Sequence, residues 1–86
     1  MKVLYLPLKK EWYEMIERGV KREEYREMKA YWQKRLTGHI DAVRFSYGYT
    51  QRRMTFECAS ITIGRGRPEW GAPEEDVFII KIGNRL

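Results

Sequence analysis

Lys9-Lys10-Glu11-Trp12-Tyr13-Glu14-Met15-Ile16-Glu17-Arg18-Gly19-Val20-Lys21-Arg22-Glu23-Glu24-Tyr25-Arg26-Glu27 is the stretch on which the fold turns. Leu8, Trp12, Met15 and Ile16 recur at the spacing of one helical face, with Glu11, Glu14 and Arg18 on other faces and Gly19 as a stop. This predicts a helix over 9–18, packed through Trp12, Met15 and Ile16. Lys21 to Glu27 is charged except at Tyr25 and too short for a disordered tail, so it reads as a polar strand. Strand alternation then sets Glu24 and Arg26 on one side and Glu23 and Tyr25 on the other, with the charges facing a cleft or solvent.

Outward from this stretch, Met1 to Leu6 alternates as a first strand, and Pro7 is expected to end its hydrogen bonding. Met28, Trp32 and Leu36 fall four apart before Gly38, predicting a second, shorter helix over 29–37 with Lys29, Lys34 and Arg35 on its outer face. Val43, Phe45 and Tyr47 alternate with Ala42, Arg44 and Ser46, giving a strand with one apolar face before a turn at Gly48. From Arg53 to Gly64 the pattern starts with Met54, Phe56 and Cys58 inward and changes parity at Ile61 and Ile63. A bulge near Ala59 or Ser60 explains the switch and helps curl a sheet. Val77 to Ile82 is apolar on both parities except at Lys81, as in a central strand covered on both sides. The expected class is α+β, a curled mixed sheet of about five or six strands with two short helices packed on it.

Eighty-six residues, 43% hydrophobic and 34% charged, suit a single domain spanning 1–86. Cys58 is the sole cysteine, which excludes an internal disulfide and a cysteine-based structural zinc site and fits a reducing compartment. Lys9, Lys10 and Glu11 arrive too early after the apolar start for a signal sequence or membrane span, so a cytoplasmic monomer with no membrane partner is expected. The net charge of +5 suits a polyanionic partner such as nucleic acid.

Gly19, Lys21, Glu24 and Arg26 spell Gly-x-Lys-x-x-Glu-x-Arg directly after the first helix, and this pattern resembles the signature of the ASCH domain family. Trp12-Tyr13-Glu14-Met15-Ile16 resembles the helix that leads into it. Tyr31-Trp32 and Ile63-Gly64-Arg65-Gly66-Arg67-Pro68-Glu69-Trp70-Gly71 are similar to small bacterial and phage-borne members. The resemblance implies a PUA-like β-barrel, RNA or a nucleotide in a cleft, and in some branches hydrolase or nuclease activity. One branch is an amidohydrolase on acetylated cytidine that uses a Lys, a Thr and a Glu. Lys21 matches that Lys, Glu24 stands where the Thr falls, and the distant Glu has no assignable counterpart here.

The same residues have roles on chemical grounds. Lys21 can neutralise a phosphate or, with its pKa lowered by burial, act as nucleophile or base. Arg26 can hold a phosphate or carbonyl through its planar fork, and Glu24 can accept from a base's exocyclic amine or transfer protons. The plainer alternative is a structural Glu24–Arg26 ion pair with Lys21 solvated. Aromatic and basic residues also interleave at Tyr31 and Trp32 near Lys34 and Arg35, at Tyr47 and Tyr49 near Arg52 and Arg53, and at Trp70 near Arg65 and Arg67. Trp32 and Tyr47 can equally be core residues. His39 reads as a loop residue, Cys58 as a small buried hydrophobe and Gly64-Arg65-Gly66 as a turn. The expectation is an RNA- or nucleotide-binding module, with no cofactor or metal. Its ligand contacts would come from Lys21, Glu24, Arg26, Tyr31, Trp32, Arg44, Ser46, Tyr47 and Arg53. The alternative is an enzyme, an acetylcytidine-type amidohydrolase or a ribonuclease, with Lys21, Glu24 and Arg26 as its catalytic group.

Overall fold

The computed structural model describes residues 1–86, and its elements follow the apolar periodicity closely. In chain order they are β1 (Val3–Leu8), α1 (Lys10–Glu17), β2 (Glu23–Arg26), α2 (Ala30–Leu36), β3 (Ala42–Tyr47), β4 (Arg53–Arg65), a single 3-10 turn (Pro68–Trp70) and β5 (Asp76–Arg85). The five strands form one curled half-barrel sheet in the order β1-β3-β4-β5-β2, with the two helices beside it. β1 and β3 run parallel, and every other pairing is antiparallel. The architecture is thus α+β. No helix is long and apolar enough to cross a membrane.

Parity along the strands divides the sheet into two faces. Leu4, Leu6 and Leu8 of β1, Val43 and Phe45 of β3, Met54 and Phe56 of β4, and Phe78, Ile80 and Ile82 of β5 line the concave face, where Tyr13 and Ile16 of α1 and Leu36 of α2 meet them. Val77 belongs to a smaller cluster on the other face with Tyr25 and Ala72, against which Ile79 packs. β5 is therefore apolar on both parities because it is covered twice.

Three details depart from expectation. Hydrogen bonding in β1 runs through Pro7 to Leu8, whose carbonyl accepts from Gly48 N–H (2.8 Å). Pro7 is tolerated because β1 is an edge strand and Pro7 directs its backbone groups away from β3. Helix α1 packs through Tyr13 and Ile16, both fully buried, whereas Trp12 and Met15 are half-buried. Ile63, expected inward, is exposed near the end of β4, while Ile61 packs on the core.

The parity change in β4 has the expected cause. Cys58 pairs with Ile82 and Ser60 with Lys81, so Ala59 is an extra residue in β4. A compensating irregularity lies one step away, where Phe56 pairs with Arg85 and Cys58 with Ile82.

Tyr13 joins α1 to the sheet. Its ring meets the Tyr47 ring edge-on at 5.2 Å, and its buried hydroxyl has no hydrogen-bond partner. Tyr13→Ala is expected to cost about 3–5 kcal/mol in chemical denaturation, as for other large aromatic truncations in a core. Tyr13→Phe should match or exceed the parent's stability, because it removes an unsatisfied polar atom and keeps the ring.

Candidate functional site

The turn after α1 sets the site. Gly19 N–H donates to Ile16 O, and both Val20 and Lys21 N–H return to Met15 O at 2.9 and 3.1 Å. This folds Lys21 back beneath the helix before β2 begins. β2 then pairs with β5 in the register Glu24↔Ile80 and Arg26↔Phe78, so Glu24 and Arg26 share the concave face with the core while Tyr25, opposite Ile79, joins the second cluster. The Glu24/Arg26 versus Glu23/Tyr25 division is as the alternation predicts.

Lys21 faces neither solvent nor cleft. Its side chain is fully buried, with Nζ 3.1 Å from Glu24 Oε1 and donating to the carbonyl of Trp70. The ammonium also sits between two aromatic faces, 5.1 Å from the Trp12 ring centroid and 4.8 Å from that of Tyr25. Burial pulls the Lys21 pKa down, against the opposing pull of Glu24. Glu24 is nearly buried as well, and its second oxygen accepts from Arg26 Nη1. The Arg26 guanidinium further donates to Tyr25 O (2.7 Å) and to Pro7 O (3.3 Å) and lies 5.2 Å from the Trp32 ring centroid. Lys21, Glu24 and Arg26 thus form one continuous network, not a solvated charge run.

Beside this network lies a cavity of about 580 Å³, open to solvent. Its walls are Pro7 and Leu8 at the end of β1, Trp12 of α1, Glu24 to Glu27 around β2, Trp32 of α2, Trp70 at the end of the 3-10 turn, and Gly71 and Pro73 after it. The chain has three tryptophans, and all of them line this one cavity. Lys9 lies at the rim, exposed and without an ion-pair partner. The volume falls within the range of small-molecule pockets.

The segment carrying Trp70 is fitted closely to the network. A Cβ at Gly66 would stand 2.5 Å from the Tyr25 ring, and one at Gly71, where φ is +95°, 2.9 Å from the Trp12 ring. Only glycine permits this approach and this backbone turn. Tyr25 completes the attachment by accepting from Arg67 N–H (3.1 Å) and donating to Glu23 (2.8 Å), and burial raises the pKa of its hydroxyl.

Of the residues singled out from sequence, Glu24, Arg26 and Trp32 line the cleft, with Lys21 behind its wall. Tyr31 turns away from the cleft, edge-on to Trp32 at 4.9 Å. Arg44, Ser46 and Arg53 lie on the convex face, and Tyr47 packs inward on Tyr13. His39 is exposed and pairs with Asp41 (2.9 Å), whose pKa is lowered first by the Lys2 N–H and then by His39. Cys58 is half-buried, and burial raises its thiol pKa. Periodicity assigned Trp12 to the core, and nothing marked Lys9. No sequence signal set Trp12 apart, because the spacing of Leu8, Trp12, Met15 and Ile16 puts it in the middle of the expected apolar face. No protein-family model, curated protein or solved structure matches the chain.

The buried ammonium has a measurable signature. Because the folded pKa of Lys21 lies below its ordinary 10.5, the unfolded chain binds more protons at this position in the interval between the two values. The Lys21 contribution to stability therefore rises with pH across that interval. Compared by urea denaturation with Lys21→Met, whose Glu24 keeps Arg26 as counter-ion, the parent should gain stability as the pH rises toward 10.5. A difference between the two that does not change with pH would mean that Lys21 titrates as a solvated lysine.

Proposed function

We propose that the chain is an ASCH-type binding module that holds one base of RNA, or a free nucleotide, in the tryptophan-walled cleft. The observation that carries this reading is the convergence of Trp12, Trp32 and Trp70 with the Glu24–Arg26 pair on one cavity of small-molecule size. Flat aromatic walls suit a nucleobase, which stacks through its π-face. A carboxylate beside a guanidinium offers an acceptor and donors to the base edge. Lys9 at the rim suits a phosphate outside the stack. Two residues of the Gly-x-Lys-x-x-Glu-x-Arg pattern, Glu24 and Arg26, line these walls, and Lys21 stands behind them.

A second reading, hydrolysis of a modified nucleoside, is favoured by one feature: an amine with a lowered pKa 3.1 Å from a carboxylate. Against it, the side chain of Lys21 is fully buried and its Nζ is engaged by Glu24 and Trp70 O. A nucleophilic Lys21 requires the Trp70 segment to move first.

Titration with nucleosides and mononucleotides should quench tryptophan fluorescence. Trp12→Ala and Trp32→Ala should each weaken binding by about 1–3 kcal/mol, the worth of one stacked base. Absence of any nucleotide or RNA binding at low ionic strength would sink the binding reading. If the parent turns over an acetylated nucleoside or cleaves RNA, Glu24→Gln should reduce turnover by roughly 100-fold or more while binding survives, and the enzyme reading then prevails.

A further inference from the structure

The convex face of the sheet and the outer side of α2 carry a second constellation that the cleft does not use. Pairing registers place Tyr5, Arg44 and Thr55 in one row across β1, β3 and β4, and Pro7, Ser46 and Arg53 in the next. Arg44 Nε donates to Thr55 Oγ1 (2.9 Å), its Nη1 donates to the Tyr5 hydroxyl (3.3 Å), and its guanidinium lies 5.3 Å from the Tyr5 ring centroid. Beside Tyr5, between β1 and α2, runs a groove of about 480 Å³ lined by Lys2, Tyr5, Tyr31, Lys34 and Arg35 among others. Arg35 covers the Tyr31 ring at 4.1 Å, and Tyr31 meets Trp32 edge-on at 4.9 Å. Trp32 is itself a wall of the cleft, so α2 presents one aromatic residue to each depression.

Charge and exposure point to the occupant. Lys2, Lys34, Arg35, Arg44 and Arg53 make no side-chain ion pair, and what sets them apart from unpaired cations elsewhere, such as Lys10 and Lys81, is that they flank two exposed tyrosine rings. Carboxylates are few here: Glu57 shares the convex rows, and Asp41 accepts from the Lys2 backbone N–H and pairs with His39. Tyr5 and Tyr31 are 62% and 55% exposed, each with a guanidinium alongside. Stacking platforms interleaved with unneutralised cations suit a polyanion whose bases are free to unstack, which describes a single strand and not a duplex.

We propose that this surface is a second subsite, which takes the phosphodiester backbone and a neighbouring base of a single-stranded nucleic acid whose first base occupies the cleft. The ligand is then a strand that crosses α2 from Trp32 to Tyr31 and continues toward Tyr5 and Arg44. This assignment rests on the cleft reading for its first base only.

The test compares a mixed-sequence hexaribonucleotide, its deoxy counterpart and the four mononucleotides by fluorescence anisotropy and calorimetry. At least one hexamer should bind roughly 10-fold or more tightly than any mononucleotide. Lys34→Ala/Arg35→Ala and Tyr5→Ala/Arg44→Ala, all at exposed or half-exposed positions, should each weaken the hexamer by about 5- to 100-fold. Each should also flatten the log–log salt dependence by about 0.7 for every phosphate that is no longer neutralised. Mononucleotide affinity should not change in these variants, and Lys81→Ala, on β5, should alter neither ligand. Equal affinity for hexamer and mononucleotide, or a hexamer indifferent to both double substitutions, overturns the proposal, as does the absence of any strand binding at low salt. A failure of the cleft reading looks different: Trp12→Ala then leaves mononucleotide affinity intact while the double substitutions still weaken the hexamer.

Discussion

A single buried ammonium organises the molecule. Removing Lys21 from water carries a penalty of several kcal/mol, which is offset only if oppositely charged and polar atoms are held around it. Glu24, the carbonyl of Trp70 and the ring faces of Trp12 and Tyr25 supply that environment. These partners come from α1, from β2 and from the connection between β4 and β5. Satisfying one charge therefore fixes the relative positions of the segments that form three walls of the cleft.

The cleft itself arises because the sheet does not close. β1 and β2 are the two edges of the five-strand order, and they approach at the cavity without pairing. The gap is spanned by side chains, with Arg26 reaching from β2 to the Pro7 carbonyl of β1. Curvature on the opposite side comes from the extra residue at Ala59, which bends β4 so that one end pairs with β3 and the other with β5. A site in this position combines a rigid floor with an opening no backbone hydrogen bond obstructs.

Much of the fold was legible because burial is periodic. The α1 and α2 spans, the parity switch near Ala59 and the double coverage of β5 all follow from which side chains must avoid water. Pro7 misled because its effect depends on which side of a strand has a neighbour, a fact of topology and not of local sequence. Trp12 was expected at the centre of the buried face, but Tyr13 and Ile16 carry that face, and a rotation of the helix by less than the roughly 100° between adjacent positions is enough to move Trp12 to its edge. The site was half legible. Residue type and strand alternation brought Glu24 and Arg26 together. The burial of Lys21 depends on Trp70, forty-nine positions away, and no spacing reports such a contact. Arg44 and Ser46 were expected on one polar face and do share it, but that face is convex, and with Arg53 beside Ser46 it lies outside the cleft.

The guanidinium bridge from β2 to the Pro7 carbonyl has a bearing on how the protein survives at high concentration. Two unpaired strand edges are an invitation to recruit a strand from another copy, and small β-proteins commonly blunt such edges with proline, charge or cover. Here β1 carries Pro7 at its open side, and β2 is four residues long and three-quarters charged. Arg26 occupies the carbonyl that an incoming strand would need. The groups that shape the cleft thus also guard the sheet against self-association. The same side chains shape the cleft and blunt the edge, so a variant that opens the cleft widely also exposes a template for intermolecular sheet growth.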